Sequence, residues 1–193
     1  MSNGLTSGVI KAARRGLHAA LAVLVLASHA AAVTPVSKTF SELVSEADLI
    51  AVGAVQGTSS SQLPQGIIVT DVTLAILRNL KGPASEGSTV ALRMLGGKVG
   101  DRELRIPGAP VFQTGQTVVV FVRGNGVEMF PFVGVQQGVF SVRTGADGRA
   151  YVFDAAGSPV TGVGEHVDVD ASRQTPPITL DDFIQAVQTR TGT

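Results

Sequence analysis

Apolar positions along this chain change their period several times, and each change marks an element. Phe40, Leu43, Val44 and Ala47 recur at helical spacing. Thr39 can cap that helix, and Glu42 three residues on completes a capping box. Leu49 to Val55 is an unbroken apolar run, which reads as a buried strand with Gly53 at a bend or bulge. Gly57 to Gly66 holds Ser59, Ser60, Ser61 and Pro64 between two glycines and reads as a loop. Ile67 to Leu80 is β-rich, with Ile68, Val72, Leu74 and Ile76 on one face. Thr89 to Leu95 alternates, with Val90, Leu92 and Met94 facing one way.

Gly96 to Gly108 is polar, glycine-rich and predicted to be irregular. Thr117 to Arg123 is apolar on both faces, the signature of a central strand. Gly124-Asn125-Gly126 turns the chain. Met129–Val135 and Val139–Arg143 read as short strands, and residues 144–148 as a hairpin loop leading to Tyr151–Phe153. Apolar density then falls from Asp154 to Pro177, which predicts a long excursion with one short strand at Val163–Val169. Thr179 can cap a last helix whose stripe is Phe183, Ile184 and Val187. Six or seven short strands with glycine-rich turns, and a helix at each end, predict a mostly β fold: a small antiparallel barrel or sandwich. The expected organisation is a β-barrel domain at 39–153 and a C-terminal excursion and helix at 154–193.

The N-terminus has a different pattern. Lys11, Arg14 and Arg15 precede an apolar run from Leu17 to Ala27, and Ala30-Ala31-Ala32 follows. Basic flank, short apolar core and small-residue cleavage site are the layout of a secretory signal peptide at 1–32, with a linker at 33–38. The apolar run is about half of the roughly 20 residues a membrane span needs. Ala-Ala before and Gly-Leu after Arg14-Arg15 favour ordinary export over a twin-arginine route. No cysteine is present for lipid attachment at the cleavage site. The expected location is therefore periplasmic or extracellular, with no stable membrane insertion after cleavage.

Cleavage after Ala32 would leave 161 residues, with twelve basic against fifteen acidic side chains and a net charge of −3. That balance argues against a nucleic-acid partner, which needs a basic surface. The whole chain has no Cys, so no disulfide supports an exported fold. It has no Trp and one Tyr, which disfavours carbohydrate stacking. Only His166 remains as an imidazole beyond the signal.

Several motifs together resemble a family of uncharacterised exported bacterial proteins. They are Ala47-Asp48-Leu49-Ile50-Ala51-Val52-Gly53, Leu80-Lys81-Gly82, Leu95-Gly96-Gly97, the spaced set Pro110, Phe112, Gly115 and Val118, and the set Val133, Gly134, Gln137, Gly138 and Phe140. The resemblance covers roughly residues 40–142. More distantly, the order of segments is similar to the OB-fold of netrin-like modules, including tissue inhibitors of metalloproteinases. That resemblance implies an OB-like barrel and a peptidase as partner. Those inhibitors use an N-terminal cysteine and disulfides, and this chain has no cysteine, so their inhibitory mechanism does not carry over.

Candidate chemistry is sparse. Gly96-Gly97-Lys98-Val99-Gly100 lacks the Ser or Thr after Lys and the helix that a phosphate loop requires. It reads as a partner-facing loop, with Gly96, Gly97 and Arg102 as binding candidates. Asp101 and Glu103 flank Arg102, a mixed-sign cluster that reads as solvated surface. Asp71 stands in mid-strand, facing either solvent or a loop. Phe112, Phe130 and Phe132 are core by default, or a partner surface if Phe130 and Phe132 point outward. His166, Asp168 and Asp170 would share one face of an extended segment and are the metal candidates; the alternative is a charged edge strand. Ser59, Ser60 and Ser61 would need His166 as an activating base, and no G-x-S-x-G is present. No cofactor is implied. The expected function is a non-enzymatic exported module that binds another protein through the Gly96–Gly108 loop, the Gly57–Gly66 loop or the Phe130–Phe132 edge. The alternatives are a metal-dependent or serine hydrolase centred on His166, and a structural envelope component.

Overall fold

Six antiparallel strands in one sheet carry the fold. The computed structural model describes residues 37–192. The signal-peptide reading at 1–32 and most of the 33–38 linker lie outside the described residues. Helix α1 (Phe40–Glu46) starts as its residues dictate: Thr39 Oγ1 accepts from Glu42 N–H, and the Glu42 carboxylate accepts from Thr39 N–H. The chain then runs through β1 (Leu49–Gln62), β2 (Ile68–Lys81) and β3 (Thr89–Leu95) as a meander. A small hairpin, β4 (Gly97–Val99) and β5 (Arg102–Leu104), follows. β6 (Thr117–Val122), β7 (Val139–Thr144) and β8 (Ala150–Phe153) form a second meander. It joins the first where β6 pairs with the first half of β1, giving the order β3-β2-β1-β6-β7-β8. A second hairpin, β9 (Val160–Val163) and β10 (Val167–Val169), leads to α2 (Leu180–Thr191), capped by Thr179.

Each face of the sheet buries its own core. On one face, α1 and α2 pack over Ile50, Val52, Val119, Phe121, Phe140 and Val152. Phe40, Phe121, Phe140 and Phe183 meet there, with ring centroids 4.9 to 6.3 Å apart. The other face buries Val55, Val72, Leu74, Ile76, Leu92, Met94, Val118 and Val120 beneath loops that bring Phe112 and Phe132. Period-2 alternation along each strand produces this division.

The mostly β class and the helix near each end match the sequence. Barrel closure does not occur: β3 and β8 end the sheet and do not pair with one another among the described residues. Loops cover both outer edges instead. On β3, Asn125 Nδ2 donates to Ala91 O (2.8 Å), Asn125 Oδ1 accepts from Arg93 N–H, and Met129 O accepts from Leu95 N–H. On β8, Ile178 O accepts from Val152 N–H, and bridges form to Thr179 and Pro159. Outer strands covered in this way do not need closure to avoid edge pairing.

Four local expectations need correction. The predicted loop at 57–66 is β strand to Gln62, and only residues 63–67 turn. Polar Gly57–Gln62 lacks apolar alternation because it overhangs the core. Within the predicted irregular segment 96–108, residues 97–104 form the β4–β5 hairpin. Met129–Val135 is a chain of turns with a single bridge, Val122 to Phe132, because Gly134 and Val135 both adopt positive φ. The excursion predicted from Asp154 to Pro177 holds two strands, β9 and β10, in place of one at Val163–Val169, and it buries Val160 in the helix-side core, where the expected stripe of Phe183, Ile184 and Val187 also packs.

Candidate functional site

A groove of about 480 Å³ opens between the far end of the loop-covered face and the β4–β5 hairpin. Its floor follows from register. Thr58 pairs with Val72, and Thr70 pairs with Met94, so these side chains stand on one face. Leu104, Ile106 and Ala109 form one wall, and Pro110, Val111 and Phe112 another. The size falls in the range of pockets that hold a small ligand or a few side chains.

Glycines set the hairpin on its floor. Gly96 and Gly97 have φ of +100° and +129°, which disfavour any side chain. A Cβ on Gly97 would fall on the hydroxyls of Thr70 and Ser60. Those hydroxyls lie 2.9 Å apart, and Thr70 Oγ1 donates to Gly96 O at 2.7 Å. Two polar side chains in the sheet thus hold the start of the hairpin. At the rim, Arg105 pairs with Glu103 at 2.8 Å. Lys98 and Arg102 have no ion-pair partner among the described residues. Arg102 is exposed on the hairpin but does not line the groove.

Beside the groove, β1 is open on one side. Its first half pairs with β2 and β6, and that second pairing ends with the bonds of Val55 to Gly115 and Gln116. From Gly57 to Gln62 it pairs only with β2 among the described residues. Thr58 belongs both to this edge and to the groove. Asp71 lies under the same strands on the opposite face. Arg93 donates to both of its carboxylate oxygens at 2.8 Å, which with the charge of Arg93 holds the acid below its ordinary range. This resolves the mid-strand Asp71 as one half of a cross-strand ion pair.

The predicted aromatic surface is redistributed. Phe132 is 3% exposed and Phe112 is 8% exposed, and their rings stack at 5.6 Å. Phe130 is half-buried against the same core. Phe130 and Phe132 do not form an outward aromatic edge. The exposed apolar side chains in the loops nearby are Val111, at 81%, Val127, at 89%, and Met129, at 66%.

The structure does not assemble His166, Asp168 and Asp170 into a ligand set. His166 Nδ1 donates to the Lys38 carbonyl at 3.1 Å. The Asp168 side chain faces Gly162 on the neighbouring strand, after which the register shifts. The Asp170 carboxylate organises its own loop: it accepts from the Ser172 hydroxyl and from the backbone N–H groups of Ser172, Gln174 and Thr175. Those bonds hold it well below the usual carboxylate range. No group of three His, Cys, Asp or Glu side chains suited to a metal exists among the described residues. Nor is His166 aimed at a serine: its ring nitrogen bonds Lys38, while Ser60 pairs with Thr70.

Of the sequence-predicted residues, the structure brings Gly96, Gly97 and Phe112 together at one groove and leaves Arg102 at its margin. Thr58 lies in the Gly57–Gly66 segment offered by the sequence as a binding surface, whereas Thr70 and Met94 were missed, because only strand register places them beside that loop. No family model matches the chain, and no curated protein and no solved structure matches it.

Proposed function

We propose that the chain is an exported binding module that takes an extended segment of another protein along β1 and into the groove. The open β1 edge at Gly57–Gln62 beside the groove carries this reading. Strand addition supplies main-chain hydrogen bonds along such an edge, and a neighbouring pocket supplies side-chain selectivity. The groove offers apolar walls for one or two side chains of the partner, and Lys98 at the rim favours a partner with an acidic residue there.

The reading of 1–32 as an export signal supports a partner in the envelope or medium. The OB-like reading belongs to the same proposal, and two antiparallel meanders joined through β1 and β6 support it. A peptidase is the partner class that the netrin-like resemblance implies.

The test is selection of displayed peptides on the full chain, followed by affinity measurement on variants. Thr58→Arg and Val111→Asp change exposed positions at the edge and the groove wall. Selected peptides should lose at least about tenfold in affinity on either variant, a loss of about 1.4 kcal/mol. Peptides that bind both variants as tightly as the parent would refute the groove. A concentration-dependent dimer abolished by the same substitutions would assign the edge to a second copy of the chain and overturn the partner reading.

A further inference from the structure

The opposite end of the sheet holds a second site of different chemistry. A pocket of about 270 Å³ lies between β8 and the loop that precedes α2. Arg143 and Arg173 both line it, together with Phe153, Pro159 and the Pro176-Pro177 pair. The two guanidinium groups converge on Gly157. A Cβ placed there would lie 2.8 Å from Arg143 Nη2 and 4.0 Å from Arg173 Nη2.

Two like charges brought together need a reason. Ion pairs elsewhere occupy Arg78, Arg93, Arg105 and Arg123. Neither Arg143 nor Arg173 is in an ion pair among the described residues. The nearby carboxylates are committed elsewhere. Asp154 accepts from Ser158 N–H, and Asp170 holds its own loop. Arg143 lies over the Phe153 ring at 4.3 Å, so the ring supports the cation without neutralising it. Arg173 sits in the left-handed region, with φ of +58°, in the turn that the Asp170 carboxylate ties together. Among the described residues its side chain makes one bond, a long one of 3.5 Å to Ala156 O. Gly157 itself has φ of +79° and no side chain, which keeps the space between the two groups clear.

We infer that this pocket binds a tetrahedral oxyanion, a phosphate or a sulfate, carried as an ester whose organic part rests on Pro159, Pro176 and Pro177. Two guanidinium groups from separate elements approach from different directions, which suits an anion whose oxygens are spread in three dimensions better than a planar carboxylate. A tetrahedral anion presents an oxygen pair to one arginine and still bonds the other. The pocket is larger than the anion alone, and Phe153, Pro159, Pro176 and Pro177 add apolar surface beside the polar Gln174 and Thr175. This inference is independent of the groove.

The experiment is a titration of the full chain with inorganic sulfate, inorganic phosphate and acetate at matched ionic strength, read by amide chemical shifts and by thermal melting. Sulfate or phosphate should shift the Gly157 and Arg173 amides saturably and raise the melting temperature above that in chloride. The two anions, compared directly, separate a sulfate ester from a phosphate ester as the natural ligand class. Arg173→Gln removes one donor from an exposed loop and should weaken binding at least fivefold while the fold persists. Arg143→Gln should do the same, and its amide spectrum reports whether the loss of the Phe153 contact disturbs folding. Acetate binding as tight as sulfate, or a response unchanged in Arg173→Gln, would overturn the assignment.

Discussion

The two faces of the sheet are sealed by different means. Helices cover one face, and four phenylalanines fill it with ring contacts from 4.9 to 6.3 Å. Loops cover the other, where one phenylalanine pair meets at 5.6 Å and the far end stays open as a groove. Both sheets of side chains come from the same strands, so the difference lies in the cover. A helix presents a continuous apolar stripe and leaves little space. A loop cover carries polar backbone, touches the sheet at few points and leaves cavities. The helix face is therefore where stability should concentrate, and the loop face is where a partner can enter.

Substitutions can break that comparison from either side. Phe183→Ala should have the largest effect, because Phe183 is fully buried and touches three other rings. Loss of about 3–5 kcal/mol in urea unfolding is expected. A cost below that of Phe112→Ala would reverse the ranking of the two faces. Gly97→Ala comes next, at about 1–3 kcal/mol, since it adds a side chain at positive φ against Thr70 and Ser60. Unlike Phe183→Ala, it should also abolish peptide binding in a chain that still folds.

Smaller effects sharpen the picture. Thr39→Ala removes the α1 capping box and should cost about 1 kcal/mol by chemical unfolding. Asp71→Asn tests the pair below the groove strands. The folded Asp71 carboxyl sits below its ordinary value of 3.8 because Arg93 hydrogen-bonds the charged form. Its stabilisation is therefore complete above the unfolded value and is lost as pH falls through the lowered folded one. The wild-type advantage over Asp71→Asn should be under about 1 kcal/mol at neutral pH, as befits a part-exposed pair. It should vanish in strong acid. A gap that widens on acidification would contradict the assignment.

Elements whose own residues carry the signal were legible in the sequence. Thr39 with Glu42, Thr89–Leu95, the doubly apolar Thr117–Val122 and the Phe183, Ile184, Val187 stripe all state their structure locally. Elements defined by what they lean on were not. Gly57–Gln62 is strand because β2 pairs with it, yet its polar residues carry no period. Met129–Val135 is apolar because it caps a core, and its turns come from positive φ rather than from composition. The site divides in the same way. Gly96, Gly97 and Phe112 stand out in the sequence as turn glycines and an aromatic residue. Thr70 and Met94 join them only through register. Arg143, Gly157 and Arg173 are brought together by the return of the chain before α2.

The most direct test of the central claim places a photo-crosslinking residue at Thr58 in one chain and at Arg149, on the β7–β8 turn, in another. Each is exposed to the native envelope and medium. The account predicts a discrete adduct from Thr58, competed away by a groove-binding peptide, and none from Arg149. Equal crosslinking from both positions, or a Thr58 adduct that the peptide leaves unchanged, would contradict it.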